Sequence, residues 1–164
     1  MSGSGSGAPD VPSLPESPYA VLAGVVESII VEEFASEGFV VTHDKLHESI
    51  GWEGTEIGLY PISEPIMEGN SLVREIHMMV QFYGMWEKEI DPATIVDPRL
   101  ITSYAYRLEN AVRSNEVRVG GSDEIWYFDV MDIEYPDDPT GNISRFHAII
   151  RAFRNNAGLV ETSG

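Results

Sequence analysis

The chain holds four histidines and no cysteine, so acid–base, carboxylate and imidazole–metal chemistry are open to it while thiolate chemistry is closed. His43 and His47 stand four apart in His43-Asp44-Lys45-Leu46-His47, a spacing that on a helix puts two imidazoles on one face for a shared metal. That context is missing. The pair follows an expected strand, and neither a HExxH pattern nor another nearby histidine supplies a third ligand. We read both as loop residues. His77 and His147 fall inside expected strands, where a satisfied or interfacial histidine is the role we assign. No metal and no cofactor is expected.

The densest chemistry-bearing group is acidic: Asp129, Asp132, Glu134, Asp137 and Asp138. Such carboxylates can bind calcium or divide general acid and base roles between them. The run lacks the spaced ligands and central glycine of an EF-hand loop. Along a regular strand successive side chains alternate, so Asp129 and Asp132 are expected to point apart, with only Asp132 and Glu134 sharing a face. A solvated face or a subunit contact fits this group, and no catalytic residue is assigned.

Other patterns match by letters alone. Gly3-Ser4-Gly5-Ser6-Gly7 spells the nucleophile elbow, but an elbow needs a buried strand before it and a helix after it, whereas this is a terminal tail. Gly120-Gly121 is a lone glycine pair without a phosphate-loop lysine, and Asn142-Ile143-Ser144 fits a glycosylation acceptor without secretory context. Trp52, Trp86 and Trp126, with Tyr60, Tyr83, Tyr127 and Phe128, are numerous for the length. A stacking platform for single strands would interleave them with arginines; here their neighbours are acidic. Most belong in a core, and Tyr83, Trp86 and Tyr127 are candidate interface anchors.

With 27 acidic against 10 basic residues, the formal charge of −17 disfavours phosphate-neutralising contact with nucleic acid. Arg145, Arg151 and Arg154 are the densest basic group, and an acidic run precedes them. A length of 164 residues, 43% hydrophobic and 23% charged, suits one folded domain with a real core. The longest apolar-rich run, Tyr19 to Phe34, is broken by Glu27, Ser28, Glu32 and Glu33, so neither a membrane span nor a signal peptide is expected.

The elements that must position these residues follow from periodicity. Residues 1–17 are Ser, Gly and Pro rich and read as a flexible N-terminal arm; 18–156 is the folded domain and 157–164 a short polar tail. Ser17-Pro18 starts a helix whose stripe is Leu22, Val25, Val26, Ile29, Ile30 and Phe34, and Gly38 ends it. Short strands are expected at Phe39–Thr42 and Ile57–Ile62, and a long one over Val73–Trp86. Asp97-Pro98 starts a second helix carrying Leu100, Ile101, Tyr104, Ala105, Leu108, Ala111 and Val112 to near Ser114. Glu124–Tyr135 and Ile143–Phe153 flank a turn and make a long hairpin. Centring that turn between Pro139 and Thr140 sets Glu134 against Arg145 and Asp132 against His147. The expected fold is α+β: two amphipathic helices on one face of a mainly antiparallel sheet, with long projecting strands.

This order of helix, short strand, long strand, helix and closing hairpin, over Pro18 to Asn156, resembles the tail-terminator (minor tail or tail-completion) proteins of siphophages, particularly those of actinobacterial hosts. The resemblance implies a non-enzymatic virion protein, made in the host cytoplasm. It would form a homohexameric ring that caps the tail tube, ends its polymerisation and joins the head connector, with DNA passing through unbound and no membrane involved. The tail-tube protein and a neck protein would be its partners. A head-tail adaptor, a tail-tube subunit, or a small acid/base hydrolase using Asp132, Glu134 or His147 are the alternatives. Candidate interface residues are Tyr83, Trp86, Tyr127, Asp132, Glu134, Asp137, Asp138, Arg145, His147 and Arg151.

Overall fold

The computed structural model describes residues 16–37, 39–43, 56–65, 73–83, 97–119, 125–136 and 145–155. The terminal arm and tail, His47, Trp52, Trp86, Gly120-Gly121, and the hairpin turn with Asp137 and Asp138 lie outside these residues.

Both helices begin where local chemistry satisfies their free N–H groups. The Ser17 hydroxyl accepts from the Ala20 N–H at 3.1 Å at the head of α1 (Pro18–Phe34), and the Asp97 carboxylate accepts from the Arg99 N–H at 2.9 Å at the head of α2 (Pro98–Ser114). Proline in each first turn loses no intrahelical hydrogen bond. One turn of 3-10 helix, Ala35–Glu37, extends α1.

Six strands follow: β1 (Val40–Thr42), β2 (Glu56–Ser63), β3 (Val73–Tyr83), β4 (Val117–Val119), β5 (Ile125–Glu134) and β6 (Arg145–Asn155). They form one curled sheet in the order β1-β2-β3-β6-β5-β4, antiparallel except for the parallel pair β1–β2. The α+β fold expected from the sequence is the fold observed. β4 is an addition: three residues directly after a helix show no alternation long enough to announce a strand.

The central pair is β3 and β6, in register along both eleven-residue strands from Val73 opposite Asn155 to Tyr83 opposite Arg145. Ile76, Met78, Val80 and Phe82 of β3, with Phe146, Ala148, Ile150 and Ala152 of β6, are fully buried together with Leu22, Ile29, Ile30 and Phe34 of α1 and Ile101, Leu108 and Val112 of α2. Both helices therefore cover one face of the sheet. Phe82 centres an aromatic cluster, 4.7 Å from Phe146, 4.6 Å from Phe39 and 5.4 Å from Phe34 between ring centroids. Arg107 of α2 clamps the helices together. It donates to Glu33 at 3.0 Å and Glu37 at 2.7 Å while its guanidinium lies 4.7 Å from the Phe34 ring centre. Leu100, placed in the apolar stripe by spacing, is 45% exposed, because it stands one position off the buried line of Ile101, Ala105, Leu108 and Val112.

Candidate interaction surface on the sheet

The face of the sheet opposite the helices carries nearly all the described candidate residues. Its composition is set by the strand registers. From β5 across β6 and β3 to β2, the pairs run Tyr127–Phe153–Glu75, then Asp129–Arg151–His77–Ser63, then Asp132–Ile149–Met79–Tyr60, then Glu134–His147–Gln81–Gly58. Apolar and charged side chains alternate along it.

Three sequence expectations change here. Glu134 stands opposite His147 and Asp132 opposite Ile149, so the expected pairs Glu134–Arg145 and Asp132–His147 do not form. The register beside the turn is displaced from the expected one, Glu134 reaching His147 where Arg145 was expected, and further along the hairpin a β-bulge shifts it again between Val130 and Asp132, leaving Met131 as the extra residue. The same bulge returns Asp132 to the face that Asp129 occupies, where strict alternation would have separated them. Asp129, Asp132 and Glu134 thus form one acidic column along β5. Third, Arg145 is no surface residue. It is only 7% exposed, and burial pulls its guanidinium below the ordinary arginine value. The Tyr83 backbone pairs with Glu56 and Arg145; its side chain lies outside the described atoms.

Within this face several polar groups are already satisfied. Arg151 Nη2 donates to Asp129 Oδ2 at 2.9 Å, with its guanidinium 5.3 Å from the Phe153 ring centre. His77 Nε2 lies 2.6 Å from Glu75 Oε2 and Nδ1 lies 3.4 Å from Ser63 Oγ. A carboxylate only accepts, so Nε2 carries the proton in that pair. Gln81 Nε2 and His147 Nε2 are 3.5 Å apart, and Gln81 is 3% exposed, so this end of the face is enclosed. The β5 end opens to solvent: Tyr127 is 41% and Met131 46% exposed, and Asp132 and Glu134 are exposed as well. Neither Asp132 nor Glu134 forms a hydrogen bond or ion pair with any described residue.

Elsewhere, His43 pairs with Glu27 of α1 instead of standing free in a loop. Among the described residues no group of three or more His, Asp or Glu side chains is placed to share a metal ion. An open groove of about 200 Å³ lies between the helices, lined by Glu32, Glu33, Asn110, Ser114 and Asn115. No described helix is long and apolar enough to cross a membrane. No family model and no curated protein matches the sequence.

Proposed function

We propose that this chain is a structural subunit of a phage virion, a ring-forming protein that caps the tail tube, ends its polymerisation and joins the tail to the head connector. The supporting observation is architectural: both helices lie on one face of a six-stranded sheet, and the far edge of the other face presents exposed aromatic, apolar and acidic side chains. That is the mixture of anchors and charges through which subunits recognise one another. The formal charge of −17 suits a passage through which DNA must slide without sticking. Native mass spectrometry and size-exclusion chromatography, alone and with the tail-tube protein, test the reading. A ring or a ring-on-tube complex supports it; a chain that stays monomeric beside the tube protein sinks it. Position of the gene relative to the tube and tape-measure genes separates a terminator from a head-tail adaptor or a tube subunit.

A second reading has one specific observation behind it. Asp132 and Glu134 share one face of β5, with His147 directly opposite Glu134, the residue types that a small acid/base hydrolase uses. Replacing Asp132 and His147 together decides: loss of a turnover activity with assembly intact favours the enzyme.

A further inference from the structure

The outer side of β5 is only partly occupied. β4 pairs with Ile125, Trp126 and Tyr127, and the Glu116 carbonyl accepts from the Phe128 N–H at 3.0 Å. Beyond that point, no described strand pairs with the outer side of β5 through Glu134. An open edge of this kind is a template for another extended chain, and proteins commonly protect one with charge. Here the charge is of one sign: Asp129, Asp132 and Glu134 stand on one face, and among the described residues only Asp129 has an arginine paired with it.

That sign selects the occupant. A second copy pairing antiparallel through this edge would set carboxylate against carboxylate, which is destabilising at directly opposed positions. Nucleic acid carries the same charge. The chain's own ends are no better, since residues 1–17 and 156–164 contain Asp10, Glu16 and Glu161 but no lysine or arginine. Among the described residues, Arg74, Arg99, Arg107, Arg113, Arg118 and Arg151 are each held by one of the chain's own carboxylates.

The geometry points to the bulged half of β5, Val130–Glu134, as a docking edge for an extended lysine- or arginine-rich segment of a different protein. The segment adds to the sheet through its backbone. Its basic side chains meet Asp132 and Glu134, and its apolar ones lie against the exposed Met131 and half-buried Ile133. This inference stands apart from the ring reading, because it concerns a contact with another protein and requires no particular self-assembly.

The test uses the full chain and a blocked peptide of Lys-Val repeats. In a ¹⁵N-NMR titration the shifts should concentrate on Met131–Glu134. The double variant D132N/E134Q should weaken binding by about tenfold, the effect of losing two charge-assisted contacts, while E16Q/E32Q, which removes two exposed carboxylates at and before α1, should leave it unchanged. A peptide with N-methylated amides should bind poorly, because it cannot pair with the edge. Equal weakening in both double variants, equal binding of the N-methylated peptide, or no binding at all would overturn the inference. So would self-association abolished by D132N/E134Q, which would give the edge to a second copy. Circular dichroism checks that the variants stay folded.

Discussion

At the scale of single residues, burial and charge decide different things. Phe82 is fully buried at the centre of four aromatic neighbours, and its replacement by alanine leaves a cavity that rigid strands on either side cannot collapse. Phe82→Ala should cost about 3–5 kcal/mol in urea unfolding. Tyr19 shows the electrostatic side. Burial pushes its phenol from 10.0 up to about 12, because the phenolate would lose its hydration. Between those values the unfolded chain releases the proton and the folded chain keeps it. Folded protein then binds more protons, so stability falls as pH rises through this window and is fully present below it. Tyr19→Phe should remove that part of the alkaline loss: thermal midpoints of the variant and wild type should run parallel to about pH 10 and then diverge, with the wild type falling faster. Tyr60 and Tyr135, raised by the same cause, leave a residual slope in both.

At the scale of elements, what was legible in the sequence was what local chemistry determines. Ser17-Pro18 and Asp97-Pro98 announced both helices because a cap acts within one turn, and the alternation Ile76, Met78, Val80, Phe82 announced β3 because its period is intrinsic to a strand. The order of strands was not legible, since β6 enters between β3 and β5 through long-range pairing. The bulge at Met131 was equally hidden. An extra residue in a strand leaves no mark on composition, yet it brought Asp129 and Asp132 onto one face. Arg145 misled for a related reason: arginine is mostly a surface residue, whereas here long-range pairing leaves it buried. The bulge yields a direct prediction. Deleting Met131 should regularise β5 without moving Val130 or Asp132 from their partners Ile150 and Ile149, so the chain should fold and lose less than about 1 kcal/mol. A change in the cross-strand contacts seen by NMR at Asp132 would contradict the bulge.

At the scale of the whole molecule, a charge of −17 sets the salt dependence of every contact. Raising ionic strength from 0.1 to 1 M shortens the screening length from about 10 to about 3 Å. Self-association of a like-charged chain should therefore strengthen with salt, and binding of a basic segment at β5 should weaken. Sedimentation velocity for the first and calorimetry with the Lys-Val peptide for the second should show opposite slopes. Two slopes of the same sign would mean that one of these contacts is not governed by charge.

The placing of β6 reaches into how the chain is made. Synthesis runs from the N-terminus, so β3 and β5 both leave the ribosome before the strand that joins them, and Gln81 waits 66 residues for His147. Until then the nascent chain holds two half-sheets, β1-β2-β3 and β4-β5, each with an unpaired inner edge and an apolar face without its full complement of partners. The last strand is thus the keystone. Folding becomes cooperative only when residues 145–155 are available, and a ribosome stalled before them would display a species prone to aggregate, one that chaperones would have to shield.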